Sequence, residues 1–404
     1  LELARILELA AERNRRLAAA RSRWRAGWER PAQAGALPDP LLSYTEMVEP
    51  VETRIGPQDR GLRLSQRIPY PAKLWAAEAR ATEEAHVREL EYFIALRDTV
   101  ADVKVTYVEL LYLRKALRIV EQNQELARQL AEKTAAIYAQ TEDKVTLFDT
   151  LKAQSQLAQL AYDRITLEEL GATEATNLNR LLSRPPVAPL GMPRDLGWRP
   201  LRADREELFQ LALQNRQELE AALRRIAAAH QTARLARLAR VPDFTVGVTY
   251  TQVGAAVRPL PDSGDDALGI TLGLSLPIWV TKNRARIREA EYRHRAALQD
   301  RQGEIDELMA RITKVFFRLE NAERLVRLYR ESLIPQAEEA LEIAEQWRDT
   351  GRDTIGRSLE AQSVWLNFQL ALHRALADYE QMVARLEQLV GASLGPLRGE
   401  EKKS

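Results

Sequence analysis

Residues 103–120 read VKVTYVELLYLRKALRIV, and they lie within residues 72–170, a stretch that contains neither proline nor glycine. Its apolar side chains recur every three or four positions, the spacing that places them on one face of a helix. They are Val103, Tyr107, Leu110, Leu113, Leu117 and Val120. A helical arm of about 65 residues would span about 100 Å, and it must pack along its length against other long helices. The stretch therefore predicts a long helical hairpin.

The same pattern occurs a second time in the chain. Adding 209 to each of the six positions again gives six apolar residues, which are Ile312, Phe316, Leu319, Ala322, Val326 and Tyr329. Residues 151–155 match residues 359–363 at an offset of 208. Offsets as constant as these indicate an internal duplication.

The duplication predicts how the chain is divided. A stretch rich in proline and glycine separates the two copies and reads as a linker. We expect a first repeat over residues 1–184, the linker over 185–202, a second repeat over 203–395 and a disordered, charged tail over 396–404.

Each repeat also contains two segments in which apolar residues alternate with small or polar ones, which is the period of a β-strand. In the second half they cover residues 244–250 and 268–276. In the first half they cover residues 41–48 and 62–68, where Gln66 interrupts the alternation. Each unit is thus predicted to be strand, strand and long helical hairpin, and the fold to be mainly α with a small β part.

Polar loops rich in proline and glycine, residues 50–61 and 254–266, are predicted to join the strands of each pair. A closed barrel in a membrane needs at least about eight strands, and lipid does not tolerate an open sheet edge. Strands of about 9–11 residues are long enough to cross a bilayer. If the apolar face meets lipid, several chains must build the barrel together, because two chains supply eight strands and three supply twelve.

Composition excludes several classes of function. Lys and Arg number 59 against 58 Asp and Glu, so no basic excess points to nucleic acid. Cysteine is absent, which excludes thiol catalysis, and no uncharged apolar run approaches the length of a transmembrane helix. The four histidines are scattered, without the spacing of a metal motif: His86, His230, His294 and His373. We predict no enzyme activity, no cofactor and no metal site.

Short motifs occur before and after the strands, in the same order in both halves. Those before the strands are Leu37-Pro38-Asp39-Pro40 and Val241-Pro242-Asp243-Phe244. Those after the strands are Leu64-Ser65-Gln66-Arg67-Ile68-Pro69 and Leu274-Ser275-Leu276-Pro277, and Leu333-Ile334-Pro335-Gln336-Ala337 follows in the second hairpin. From residue 7 to about residue 391 the chain resembles the TolC family, the outer membrane factors of Gram-negative efflux and secretion systems. The strand motifs resemble its metal- and cation-efflux branch more than TolC itself.

The resemblance implies an assembly and its partners. Family members are trimers with a 12-stranded β-barrel on a long periplasmic α-barrel. We therefore expect a homotrimer in outer membrane lipid with a large periplasmic part. It would dock on a periplasmic adaptor (membrane fusion protein) and, through it, on an inner membrane RND or ABC transporter.

The ends of the hairpins are the candidate docking or gate sites, since the family's tips form the closed periplasmic entrance. The chain is predicted to reverse within residues 138–149 and 347–357. Thr146 and Thr354 are equivalent in the two repeats and are placed to cap the returning helices. The candidate residues are Thr146, Leu147, Phe148, Asp149, Gly351, Thr354, Ile355 and Arg357.

The two tips differ from each other and from the family pattern, because Asp143 replaces a glycine and Arg357 an aspartate. One hypothesis is that Asp149 and Arg357 pair across facing tips and hold the entrance shut. The alternative is two solvated charges that contribute almost nothing.

Four aromatic residues near the ends of the strands are candidates for an interfacial girdle: Tyr70, Trp75, Tyr250 and Trp279. The alternative is that they pack where the helices meet the sheet.

The leading functional hypothesis is a passive exit duct, the outer membrane channel of a tripartite efflux or type I secretion system. The alternative is a soluble periplasmic coiled-coil scaffold or adaptor. An adaptor should have a single hairpin, and a soluble scaffold has no reason for strands with one purely apolar face.

Overall fold

The computed structural model describes residues 2–140, 147–195, 197–257, 261–349 and 355–395. Both halves follow one order of elements: short helices, two strands and two long helical arms. The first half contains α1 (Leu3–Arg13), α2 (Arg15–Trp28), α3 (Arg30–Gly35), β1 (Leu41–Thr53), β2 (Gly56–Ile68), α4 (Pro71–Gln140) and α5 (Leu147–Leu181). The second contains α6 (Arg205–Asn215), α7 (Gln217–Leu238), β3 (Phe244–Val253), β4 (Ala267–Leu274), α8 (Val280–Leu328), α9 (Ile334–Asp349) and α10 (Ile355–Val390). The predicted class, mainly helical with a small sheet, is confirmed.

The chain folds into two compact units, and each unit takes segments from both halves. Unit 1 comprises Leu1–Ala20, Phe93–Gln217 and Ile305–Ser404. Unit 2 comprises Arg21–Tyr92 and Glu218–Glu304, and it contains the sheet. The predicted boundaries of the two sequence repeats describe a duplication of the chain and differ from the boundaries of these compact units. The repeat boundaries therefore stay a prediction. The predicted tail lies outside the described residues.

The apolar seam of α4 forms the core of unit 1. Val103, Tyr107 and Leu110 are fully buried, in a cluster with Ile6 of α1 and Leu178 of α5. Farther along, buried residues of α4, α5 and α10 share a second cluster: Val120, Ala127, Leu160 and Leu366. The outgoing and returning arms of the first hairpin therefore pack together, as their periodicity predicts. Among the helices of the described ranges, none combines the length and the apolarity needed to cross a membrane.

The second hairpin has a π-helical turn, Tyr329–Leu333, between α8 and α9. The backbone N–H of Ile334 donates to the carbonyl of Tyr329, which lies five residues earlier. Pro335 explains the turn, because its ring lacks an N–H and clashes with the carbonyl of the preceding helical turn. The wider π-helical turn accommodates the proline, so that α9 continues directly from α8.

The inter-repeat linker is part of unit 1 and is held there by buried polar side chains of α4 and α5. The Tyr107 hydroxyl accepts a hydrogen bond from the Arg194 N–H at 2.7 Å and donates to the Arg194 carbonyl at 3.0 Å. The Asn179 side chain donates to the carbonyls of Pro186 and Ala188. The linker is therefore held by the helical core, although its composition alone resembles a flexible connection.

The four strands of unit 2 form one antiparallel sheet in the order β1-β2-β3-β4. The second predicted loop is confirmed, because β3 ends at Val253 and β4 begins at Ala267. The first predicted loop, residues 50–61, is wrong, because only two residues separate Thr53 from Gly56.

Pairing of β1 with β2 continues past Pro50, with an irregularity between Glu46 and Val51. A proline is tolerated in an edge strand at a bulge, where its missing N–H breaks no ladder bond. Gly56 is required at the turn, since its φ is +134° and an added Cβ would lie 1.8 Å from the Gly254 carbonyl oxygen. Proline and glycine thus mark a bulge and a tight turn here rather than a long loop.

Candidate functional site

One face of the sheet is apolar and exposed. The strand register aligns Leu42, Leu64, Val248 and Ile270 in one row across the four strands. The next row contains Tyr44, Leu62, Tyr250 and Leu268. The exposed fraction of the first row ranges from 44% at Val248 to 77% at Ile270. A contiguous apolar patch of this kind marks a surface that meets lipid or another protein.

The opposite face is small and polar. Its first row contains Ser65, Gly247 and Thr271, with Leu41 as an apolar exception at the β1 edge, and its second contains Ser43, Arg63, Thr249 and Gly269. The Arg63 side chain donates to the Thr249 hydroxyl at 3.1 Å across β2 and β3. Strands that are apolar on one face and polar on the other suit a sheet with lipid on one side and water on the other.

Gln66 is a polar residue within the apolar part of this face, where it lies in the row of Val246 and Leu272. Its side-chain amide donates to the carbonyls of Pro38 and Arg67, each at 2.7 Å. Gln66 therefore breaks the apolar alternation because its side chain makes local hydrogen bonds. The pairing of β2 with β3 continues through Gln66 without a shift in register.

Strands β1 and β4 are the edges of the sheet, and neither pairs with a further strand among the described residues. An exposed, apolar edge strand offers unpaired N–H and C=O groups to another chain. The sheet of a single chain is thus open at both sides as well as apolar on one face.

Asp243 joins the sheet to the adjoining helix, α4. Its carboxylate accepts hydrogen bonds from Lys73 Nζ at 2.6 Å, from an Arg67 guanidinium nitrogen at 2.8 Å and from the Tyr70 N–H at 3.2 Å. Burial favours the neutral acid, but these hydrogen bonds outweigh it and lower the pKa of Asp243 below its ordinary value. The Ser275 hydroxyl, just after β4, accepts from the Asp243 N–H at 2.8 Å. The sequence motif marks this aspartate, but only the fold brings its partners together.

The four candidate girdle residues lie at the ends of elements and are exposed. Trp75 in the first turns of α4 is 64% exposed, and Trp279 just before α8 is 69% exposed. Tyr70 and Tyr250 are also exposed, and the Tyr250 hydroxyl donates to Asp266. Packing of the two tryptophans between helix and sheet does not account for this exposure.

The hairpin ends are described only in part. Thr146, Gly351 and Thr354 lie outside the described residues, as do the side chains of Phe148, Asp149 and Ile355. Leu147 begins α5 and is exposed, and Arg357 is exposed in the first turn of α10. The proposed Asp149–Arg357 pair therefore stays a prediction.

One ion pair links the two returning arms close to these ends. Lys152 Nζ of α5 lies 3.9 Å from a Glu360 carboxylate oxygen of α10. The two residues occupy equivalent positions, at the offset of 208. The beginnings of α5 and α10 therefore lie side by side.

The fold brings together two histidines that are far apart in the sequence. The rings of His230 in α7 and His294 in α8 have their centroids 5.8 Å apart. Within the described part of the chain, no group of three or more His, Cys, Asp or Glu side chains could hold a metal ion. The sequence does not predict that the two histidines meet, because they belong to different helices and no short motif contains both.

Known proteins resemble this chain in sequence over one part and in fold throughout. Residues 208–392 match the family described as outer membrane efflux protein. VceC, an outer membrane protein from Vibrio cholerae, is 22% identical, with a TM-score of 0.80 over 97% of this chain and 96% of that chain. A membrane protein from Pseudomonas aeruginosa is 19% identical, with a TM-score of 0.81 over 96% and 93%.

The CmeC outer membrane channel from Campylobacter jejuni is 16% identical, with a TM-score of 0.78 over 100% of this chain and 87% of that chain. No curated protein matches the chain significantly. Residues 208–392 therefore match the outer membrane efflux protein family, and the chain as a whole has the fold of VceC and of the CmeC outer membrane channel.

Proposed function

We propose that this chain is the outer membrane channel of a tripartite efflux or type I secretion system. It acts as a passive exit duct without chemistry of its own, and an inner membrane RND or ABC transporter supplies the energy through a periplasmic adaptor. The observation that carries the proposal is the open-edged sheet with one continuous apolar face. A soluble scaffold or adaptor would leave that face in water at a high cost in free energy.

The same sheet supports a homotrimer. Strand β3 has 10 residues, a length of about 33 Å that crosses a hydrocarbon core of about 30 Å. Three chains joined at the β1 and β4 edges form a closed barrel of twelve strands, which leaves no edge in lipid. Two chains would form only eight strands and a barrel filled by side chains. The exposed Trp75 and Trp279 then lie at a membrane interface, where their amphipathic rings are favoured.

Oligomeric mass and conductance test the proposal together. We expect the purified chain to require detergent, to have the mass of a trimer and to form ion-conducting pores in planar bilayers. A water-soluble monomer without conductance would support the scaffold alternative and would overturn the duct.

The hairpin ends are the proposed site for the adaptor and for a gate. Asp149 precedes Lys152 by three residues on α5, and Arg357 precedes Glu360 by three on α10. Residues three apart lie on the same face of a helix. Because Lys152 and Glu360 already face each other, the spacing favours a second, opposite pair between Asp149 and Arg357 one turn nearer the ends.

Replacing Asp149 by alanine is expected to increase the conductance of the reconstituted protein. A pair at this position contributes about 0.2–1 kcal/mol, which changes the ratio of open to closed states by a factor of about 1.4 to 5. Single-channel recordings of the wild type, Asp149→Ala, Arg357→Ala and the double variant form a cycle. The double variant should conduct no more than either single variant. Unchanged conductance in all three would remove the gate and leave the duct intact.

A further inference from the structure

Unit 2 contains a cluster of basic residues that the proposed function does not explain. Six exposed basic residues lie at or just after the end of α7 and at the beginning of α8, and they make no ion pair with any described residue. They are Arg234, Arg240, Lys282, Arg284, Arg286 and Arg288. We call this set the basic patch. Neighbouring cations on the same two helices are paired, as Arg237 is with Glu291 and Arg293 with Glu289.

The two helices bring the patch together. Buried residues of α7 and α8 share one cluster, which consists of Ala233, Ala236, Ile287 and Ala290. Arg237 and Glu291 form an ion pair at 2.8 Å between the same two helices. Residues on either side of these contacts, Arg234 on α7 and Arg288 on α8, therefore belong to one surface region.

The patch lies close to one end of the sheet. Phe244 at the start of β3 pairs with Leu274 at the end of β4, so both chain connections leave the sheet at the same end. Phe244 follows Arg240 by four positions, a distance of at most about 14 Å. Lys282 follows Leu274 by eight residues, or at most about 29 Å.

An exposed apolar segment separates the sheet from the patch. It consists of Leu276, Ile278, Trp279 and Val280. The order along this end of unit 2 is thus an apolar sheet face, an apolar and aromatic segment, and unpaired cations. A surface of this order matches the layers of a bilayer, which are hydrocarbon, interface and charged headgroups.

Helix energetics do not explain the cations at the start of α8. The N-terminus of a helix carries partial positive charge, so cations in its first turns are unfavourable. The first turn of α8 contains no acidic residue to compensate. At the corresponding start of α4, by contrast, Lys73 is held by Asp243 and by the Val241 carbonyl. Within the described ranges, only the second repeat presents a group of unpaired cations at this point.

We propose that the basic patch binds the phosphate groups of anionic phospholipids in the periplasm-facing leaflet. The inference rests on the proposed function, because the sheet must lie in the membrane for the patch to reach the headgroups. Clusters of four to eight basic residues next to a membrane segment attract anionic lipid, each residue contributing additively. The patch thus fixes how deep the sheet sits and gives the protein a preference for anionic lipid.

Neutralising the α8 part of the patch tests the proposal. The full-length variant combines four glutamine substitutions, which keep helix propensity high: Lys282→Gln, Arg284→Gln, Arg286→Gln and Arg288→Gln. Native mass spectrometry would measure retention of phosphatidylglycerol against phosphatidylethanolamine by the detergent-solubilised protein. We expect the wild type to prefer phosphatidylglycerol at low salt and the variant to bind it about tenfold or more weakly.

A matched control lies farther along the same helix. Four exposed cations of the same types, one lysine and three arginines, are replaced there by glutamine: Arg311, Lys314, Arg318 and Arg324. Arg311 also loses an ion pair with Glu307, which contributes little because both side chains are exposed. This control changes the net charge equally and should retain the lipid preference. Equal loss in both variants would mean a general charge effect and would overturn the proposal.

If the basic patch binds something other than lipid, the experiments give different results. If the patch variant falls apart into monomers in neutral lipid and the control does not, the patch is a contact between copies of the chain. If inorganic phosphate at matched ionic strength displaces the lipid completely, the site recognises free phosphate. Either result would overturn the lipid assignment. A wild type that conducts as a trimer but shows no lipid preference would reject the assignment alone and leave the duct standing.

Discussion

Replacing Ile270 by arginine is expected to prevent assembly of the protein in a membrane, whereas arginine at the adjacent Thr271 should leave assembly nearly intact. Ile270 is near the middle of β4 on the apolar face, and Thr271 points to the small, polar face. An arginine on the lipid side at the midplane costs about 2–4 kcal/mol, and a trimer would contain three. A charge on the water-filled side costs little.

Comparing Ile270→Arg with Thr271→Arg shows which face of the sheet tolerates a charge. Ile270 is 77% exposed in the single chain, so its replacement removes little packing from the chain itself. The fraction of protein recovered as detergent-resistant trimer from membranes measures the effect. If Ile270→Arg and Thr271→Arg assemble equally well, the apolar face does not meet lipid, and the proposed duct loses its main support.

Asp243→Ala is expected to have the second largest effect. It removes a buried carboxylate that accepts three hydrogen bonds, and it leaves Lys73 partly buried without its main partner. Breaking a pair of this kind costs about 3 kcal/mol. Asp39 is the equivalent residue of the first repeat, but it is exposed and makes no side-chain hydrogen bond with a described residue. Asp39→Ala should therefore change stability by less than about 0.5 kcal/mol.

Acid should remove the difference between the wild type and Asp243→Ala. Because its hydrogen bonds hold the pKa of Asp243 below the ordinary 3.8, the carboxylate stabilises the fold above that value. This stabilisation is lost as the pH falls through the lowered pKa. Thermal unfolding midpoints measured from neutral pH down to about pH 2 should converge for the two proteins. Midpoints that stay equally far apart at every pH would show that the loss of packing, and not of charge, causes the effect.

The helical hairpins and the strands could be predicted because their signals are local and periodic. The buried seam of α4 recurs every three or four residues, and Val103, Tyr107 and Leu110 are fully buried as expected. The alternation of β3 and β4 likewise predicts which face is apolar. The loop over residues 50–61 was wrong, because proline and glycine mark both long loops and bulged, tightly turning hairpins. Only pairing with β2 and the close approach of Gly254 distinguish the two cases.

The sequence shows that the two halves are copies of one another. It does not show which equivalent residues make different contacts in the two copies. Asp39 and Asp243 share a motif, yet only Asp243 meets Lys73 and Arg67. The starts of α4 and α8 are equivalent, yet among the residues that the structure describes only α8 presents a group of unpaired cations there. These differences depend on neighbours more than 150 residues away in the chain, which no local pattern contains.

Periodicity, the repeat and the strand motifs determined by themselves that the chain forms long paired helices and amphipathic strands, since those properties depend on residues a few positions apart. The tertiary structure alone decided the order of the strands, the edges left open, the network around Asp243 and the clustering of cations on α7 and α8. The physical reason is that hydrogen bonds and ion pairs between distant segments depend on side chains meeting within a few ångströms, and only the folded chain brings them there.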